Sequence, residues 1–467
     1  MTKRVLLIQP NYKTQRESGA WGITPPMGLA YLAAMLEKNN FPVEILDTNA
    51  LDLTIPQTIE KINQIKPDIV GVSILTPAHQ YSIDIVKGLP KEILKVAGGP
   101  HPSAIPEEML RSGFDIVARG EGEYILLEIA QSKPLREIKS ISFIENGQIF
   151  HNPPREPLDP NELPLPSRHL LISNAVDKPY SSGGTQYFPW ARITSSRGCP
   201  YNCYYCAKQI FGHGFRARTP ENVLEEIDFL VKNYKIKEVS FSDDCFNFDL
   251  DRANRILDLI IERKHNLCLR FSNGLRVDKV NEPFLRKMKQ AGCRYIGYGV
   301  ESGNQDVINN IPKRVTLDQI REAIKLTKKV GGIFVSGYFM FGLIGDTEET
   351  MQQTINFSKE LDLDVASFTI AVPYPGTRLE TMIKEKGGKV HFKSWDEFHH
   401  TAGKVMFSYP GMVEAEKIEA AYKRAMREFY FRPRYIFGHL SKYFSLHRIK
   451  VGLKGLRAVL VAVFRKT

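Results

Sequence analysis

Three cysteines within one ten-residue stretch constrain this chain more than any other feature. Arg197-Gly198-Cys199-Pro200-Tyr201-Asn202-Cys203-Tyr204-Tyr205-Cys206 follows Ala191–Ser195, which reads as a short strand. Gly198 and Pro200 bend the backbone, so the three sulfurs can converge on one face of a small object. Three thiolates with no adjacent fourth suit a [4Fe-4S] cluster whose last iron stays open to a ligand. A closed zinc site wants four ligands, usually as two separated pairs, and His213 would have to be the fourth. A disulfide plus one odd thiol would suit a secreted chain. The basic start Met1-Thr2-Lys3-Arg4 leads into Val5–Ile8, too short for a signal-peptide core.

Six cysteines in 467 residues make no disulfide scaffold, so a reducing cytoplasm is the expected setting. The length allows two or three domains, and 43% hydrophobic with 25% charged residues is ordinary for a globular protein. No run approaches the ~18 apolar residues of a membrane span. The net charge of +11 sits entirely at one end. Residues 421–467 hold twelve Lys/Arg against Glu428 alone, which leaves 51 bases and 51 acids in the first 420. A neutral body argues against nucleic-acid binding there and puts any charged partner at the C-terminus.

Residues 1–150 alternate apolar runs with helical patterns. Val5–Ile8, Val43–Leu46, Ile69–Ile74, Val96–Ala97 and Phe114–Ala118 read as buried strands, with helices over Leu29–Lys38, Ile55–Ile65 and Pro102–Ser112. This predicts a doubly wound, Rossmann-like parallel sheet that binds ligands beyond its strands' C-terminal ends. Those ends carry Pro10, Ser73 to Thr76, Gly98-Gly99-Pro100-His101 and Gly120-Glu121-Gly122. A hairpin is expected at Asn146-Gly147, then an extended proline-rich linker over 151–187, made flexible by Ser181-Ser182-Gly183-Gly184.

The same rhythm resumes in 188–385. Strands are expected at Arg192–Ser195, Glu238–Ser242, Leu267–Phe271, Tyr295–Val300, Ile333–Phe341 and Ala366–Ile370. Polar residues follow them: Asp243-Asp244, Ser272-Asn273-Gly274, Glu301-Ser302-Gly303 and Gly342 to Asp346. Barrel chemistry gathers at such ends. Asp346 and Glu349 also read as a helix capping box, and Cys245, Cys268 and Cys293 as core residues. Residues 386–467 look predominantly helical. Lys450, Lys454 and Arg457 would face away from Leu453, Leu456 and Leu460, the pattern of a peripheral membrane helix or of a helix packed on the barrel.

The spacing C-x3-C-x2-C, with Tyr205 before the last cysteine, resembles the radical S-adenosylmethionine (SAM) superfamily. The first half resembles the cobalamin (B12)-binding domain that precedes many such enzymes, through Pro25-Pro26-Met27-Gly28-Leu29, Gly98-Gly99-Pro100-His101 and Arg119-Gly120-Glu121-Gly122-Glu123. The resemblance implies a partial (βα)6 TIM-type barrel. Cys199, Cys203 and Cys206 would hold a [4Fe-4S] cluster that chelates SAM and cleaves it to a 5′-deoxyadenosyl radical. Tyr205, Asp243, Asp244, Asn273, Glu301, Ser302 and Gly342 would contact SAM. Pro10, Gly28, Ser73, Thr76, Gly98, Gly99, His101, Gly120, Glu121 and Gly122 would line cobalamin.

The Asp-x-His-x-x-Gly cobalt-ligand motif is absent, and Ile344 replaces the family's usual proline. His79 and His101 are the only histidines near the strand ends. The resemblance further implies an external one-electron donor of flavodoxin or ferredoxin type and methylation of an unactivated carbon, the basic tail tilting the substrate toward a lipid. Radical cyclisation or oxidation, as in magnesium-protoporphyrin ester cyclases, shares every motif. A non-catalytic cobalamin sensor and an RNA-modifying enzyme fit less well.

Overall fold

The computed structural model describes residues 2–12, 22–171, 180, 184–399, 403–433 and 435–436. Its first sheet contains β1 (Val5–Gln9), β2 (Val43–Asp47), β3 (Ile69–Ser73), β4 (Leu94–Gly98), β5 (Ile116–Ala118), β6 (Ile141–Glu145) and β7 (Gln148–His151), in the order β2-β1-β3-β4-β5-β6-β7. The first five are parallel. Leu7 and Val5 enter the core on one face, Leu6 and Ile8 that on the other. Burial on both faces is why these strands read as unbroken apolar runs. β6 and β7 add an antiparallel hairpin, and positive φ at both Asn146 and Gly147 gives the tight turn their sequence predicts.

A second sheet follows. β8 (Trp190–Ile193) enters it, β9 (Ser196–Arg197) and β10 (Arg216–Ala217) form a separate antiparallel pair, and the sheet continues through β11 (Glu238–Phe241), β12 (Cys268–Leu275), β13 (Cys293–Glu301), β14 (Phe334–Phe341) and β15 (Val365–Ile370). All six members of the large sheet are parallel, in the order β15-β14-β13-β12-β11-β8. Helices Pro220–Tyr234, Leu250–Arg263, Glu282–Gln290, Leu317–Val330 and Glu348–Glu360 join them, the architecture expected of a partial barrel. β8 starts and ends two residues before its sequence reading. Ser195 instead gives its N–H to Asp243 at 2.7 Å, which turns the chain toward β9.

Other expectations are corrected. The helix read over Pro102–Ser112 is two short ones, Pro100–Ala104 and Pro106–Arg111, because the residue before Pro106 is driven out of the helical region. The capping box at the loop after β14 belongs to Thr347 and Thr350, not to Asp346 and Glu349. The described residues of 386–414 are largely irregular, and the helix Ala415–Tyr430 follows them. It buries Ile418, Ala421, Tyr422, Ala425 and Phe429 against the barrel. The linker is not free, since Arg216 donates to the Leu158 carbonyl at 2.5 Å and Asn161 to that of Ala217 at 3.2 Å. Ser181-Ser182-Gly183 and the tail residues Lys450, Leu453, Lys454, Leu456, Arg457 and Leu460 lie outside the described residues.

Candidate active site

The β9–β10 pair clamps residues 198–215 into one loop carrying all three clustered cysteines. Gly198 has φ +78°, and a Cβ there would lie 2.0 Å from the Gly214 carbonyl oxygen, so no other residue fits. The Cys206 N–H donates to the Cys203 carbonyl at 3.0 Å, which tightens the turn. Lys208 draws in the carbonyls of Cys199, at 2.5 Å, and Tyr201. Tyr204 is buried and accepts the Ile344 N–H at 3.0 Å, tying the loop to the end of β14. Cys199 and Cys203 are half-buried and Cys206 exposed. Among the described residues, neither the three thiols alone nor the thiols with a histidine or carboxylate form a tight ligand set. His213 is exposed. By donor type, three clustered thiols without an adjacent fourth suit a cluster with an open iron better than closed zinc. Cys245, read as core, is buried.

The barrel-mouth polar residues divide into supports and open groups. Asp243 is buried and accepts from the Ser195 N–H at 2.7 Å, the Ser195 hydroxyl at 2.5 Å and the Ser196 hydroxyl at 2.8 Å. Ser302 is fully buried, with its hydroxyl 3.1 Å from that of Thr354. Both carry the loops from inside. Asp244 and Asn273 stand exposed, Asp244 accepting the Gly198 N–H at 3.2 Å and Asn273 donating to the Ser242 carbonyl at 2.7 Å. Glu301 holds a left-handed φ of +65°, uncommon for a non-glycine residue, and pairs with Lys313 at 2.5 Å. Burial and then this carboxylate push the Tyr205 hydroxyl well above its ordinary value, so it stays a proton donor. Gly342 has φ +75°, and burial raises Asp346 beside it to about 6.

The first domain's strand ends meet this mouth. From Gly120 a Cβ would point at the carbonyl oxygens of Gln209 and Ile210, 3.7 Å away. Gln209 donates to the Pro375 carbonyl at 2.9 Å. Glu121 pairs with Arg197 at 2.7 Å and Arg216 at 2.9 Å, while Glu123 takes the other arm of Arg197 at 2.7 Å. Sequence reading missed this clamp, although the acid pair Glu121-x-Glu123 and the arginine before Gly198 were its visible signals. Gly99, at φ +99°, is forced by its own chain, since a Cβ would sit 2.9 Å from the Ile74 nitrogen. Gly122 packs on Leu32. Gly28 is exposed, Pro10 buried, and Ser73 pairs with Gly98 across β3 and β4. Thr76 lies 3.3 Å from His101 Nδ1.

A three-cysteine loop at a parallel-barrel mouth, facing the ligand edge of a Rossmann-like sheet, is the arrangement of an enzyme with a cofactor site on each domain. The family model for the Radical SAM superfamily matches residues 193–358, and that for the B12 binding domain residues 20–130. The chain belongs to the B12-binding radical SAM enzymes, whose cofactors are a [4Fe-4S] cluster, SAM and cobalamin. It is 37% identical over 391 residues to an uncharacterised methyltransferase of Pyrococcus horikoshii, covering 80% of this chain and 82% of that protein. It is 26% identical to the anaerobic magnesium-protoporphyrin IX monomethyl ester cyclase of Rubrivivax gelatinosus, over 85% of this chain and 72% of that one. In fold it is similar to the radical SAM methyltransferase TsrM of Kitasatospora setae, with a TM-score of 0.71 and 19% identity over 93% and 90% of the chains. No described helix is long and apolar enough to cross a membrane.

The two strand-end histidines are withdrawn from the surface. His101 is 1% exposed, pinned by Thr76 and covered by Trp395, with ring centroids 5.1 Å apart. His79 is also buried. Electron paramagnetic resonance of the Co(II) form is expected to show no nitrogen triplet from an axial imidazole. A triplet that disappears in His101→Ala would refute this.

Proposed function

We propose that this enzyme is a C-methyltransferase that acts on an unactivated carbon of a hydrophobic, lipid-like substrate. The observation that carries the reading is the direct apposition of cysteine loop and first-domain strand ends, held by Arg197, Glu121 and Glu123. Methyl transfer between two cofactors requires both to reach one substrate carbon, and pre-positioned reactants remove much of the entropic barrier. When bound, the cofactors supply a radical to activate that carbon and a methyl group to place on it. The chain's own residues do the rest. Lys208 fixes the loop carbonyls, Lys313 holds Glu301 at the barrel mouth, and Asp244 and Asn273 offer exposed polar groups to SAM. The interdomain ion pairs wall one side of the space, as chemistry of this reactivity needs a water-poor site. An external one-electron donor of flavodoxin or ferredoxin type completes the scheme.

The similarity to the Pyrococcus methyltransferase supports methyl transfer, and that to the Rubrivivax cyclase keeps radical cyclisation as a second reading. Anaerobic incubation with methyl-deuterated SAM and host lipid extract separates the two. Methyl transfer is expected to put the deuterated methyl into a product as 5′-deoxyadenosine forms. A product that forms with 5′-deoxyadenosine but carries no label would establish cyclisation or oxidation instead.

A further inference from the structure

Away from the cysteine loop, the chain gathers a second set of metal-type donors. His79 begins the helix His79–Lys87 after β3, His101 lies in the helix after β4, and Glu108 sits on the next turn of chain, in Pro106–Arg111. Their ligand atoms all lie within 4.8 Å of one another, and no other set of three such donors among the described residues is this tight. His79 Nε2 stands 3.0 Å from Glu108 Oε1, and the two imidazole centroids are 4.8 Å apart. His101 Nε2 is buried and has no hydrogen-bond partner. An orphaned buried nitrogen on a residue only 1% exposed calls for a ligand.

The surroundings prepare that nitrogen. Thr76 Oγ1 lies beside Nδ1 of His101, so a proton held there leaves the Nε2 lone pair free, as in histidine ligands oriented from behind. Glu108, Asp396 and Asp84 are the charged groups facing His79, an acidic setting for a cation. Trp395 closes the cluster by donating its Nε1–H to Glu108 Oε1 at 2.9 Å.

We propose that His79, His101 and Glu108 form a second metal site that takes a zinc ion through two imidazoles and one carboxylate, with a fourth position for water. Two nitrogens and a carboxylate are a zinc set, whereas magnesium and calcium prefer all-oxygen ligands. Tetrahedral zinc bonds of about 2.0–2.1 Å put donor atoms about 3.4 Å apart, so the wider separations here, up to 4.8 Å, must close by at most roughly 1.5 Å. The ion would fasten the irregular segment around Trp395, 287 residues along the chain from Glu108, onto the first domain. None of the three ligands holds the cluster, and His101 is the one ligand also expected to line cobalamin, so the test reads zinc and cobalamin separately.

The test uses anaerobic holoenzyme incubated with zinc, desalted, and measured for metal content and zinc K-edge X-ray absorption. The expected result is about one zinc per chain with a nitrogen/oxygen shell at about 2.0–2.1 Å and imidazole scattering beyond it. His79→Ala and His101→Ala are expected to weaken zinc binding at least tenfold while iron stays at the wild-type level. Glu108→Gln, at a partly exposed position, tests the same loss with little packing change. Failure to retain zinc, a sulfur shell at about 2.3 Å that places it on the cysteine loop, or unchanged affinity in the variants would overturn the proposal. Joint loss of zinc and cobalamin in all three variants would also overturn it, because the donors would then serve the corrin face.

Discussion

Protein carrying Cys199→Ala, Cys203→Ala and Cys206→Ala together is expected to form no 5′-deoxyadenosine from SAM under reducing conditions. Wild-type protein reconstituted anaerobically should hold about four irons per chain, and the triple variant none above background. The effect is total because the loop offers no other thiolates, and without the cluster no electron reaches the sulfonium. Folding should survive. Cys206 is exposed and Cys199 and Cys203 half-buried, so their sulfurs contribute little to the core. The loop is held by other atoms: Gly198, the Lys208 ammonium and the Tyr204 hydroxyl. Retained cobalamin and an unchanged melting profile would show that the loss is chemical. Reductive cleavage at wild-type rate by the triple variant would remove the cluster assignment altogether.

The same loop shows why part of this molecule was legible in the sequence and part was not. Its cysteines lie within eight residues, so their spacing alone carries the chemistry. Most of the strands were legible because they are buried on both faces and so written as largely apolar runs. Local rules also located Asn146-Gly147 as a hairpin. What escaped was non-local or ambiguous by type. Trp395 meets Glu108 across 287 positions, and nothing in either neighbourhood announces the other. Asp243 and Asp244 are adjacent and alike in sequence, yet one is buried as a loop support and the other exposed at the mouth. Glu121 ended a strand like a ligand residue, but its oxygens are engaged by Arg197 and Arg216. The break at Pro106 was written in the chain, and the helical period on either side of it masked the proline's effect.

Glu226→Ala is expected to lower the apparent melting temperature, at fixed scan rate and pH 7, by roughly 10 °C. Glu226 is 1% exposed on the core face of helix Pro220–Tyr234, a polar residue in an apolar row. One oxygen accepts from Arg168 at 2.6 Å and the other pairs with Arg218. Arg168 comes from the linker, also donates to the Arg192 carbonyl at 2.6 Å, and touches Met27 sulfur at 3.4 Å. Its neighbour Ser167 bonds Ala30 of the first domain at 3.0 Å. The triad thus joins first domain, linker and barrel, and both arginines are nearly as buried as the glutamate. Removing one partner of a buried charge network costs about 3–5 kcal/mol, since the remaining charges lose their compensation. At about 2–4 °C per kcal/mol for domains of this size, the shift follows.

The pH dependence supplies an independent check. Burial alone would raise the Glu226 carboxyl, but Arg168 and Arg218 outweigh it and hold the folded value below the ordinary one. A depressed folded value means that the contribution is fully present above the unfolded value of about 4.3 and lost as pH falls through the folded one. The difference between wild type and Glu226→Ala should therefore stay constant from about pH 5 to 8 and shrink under more acidic conditions. Glu226→Gln, which keeps the shape and one acceptor, should fall between the two at neutral pH. A melting temperature within 2 °C of wild type for the alanine variant would mean that water reaches the two guanidinium groups, and the triad would then count as a screened surface pair rather than the joint between the halves of the enzyme.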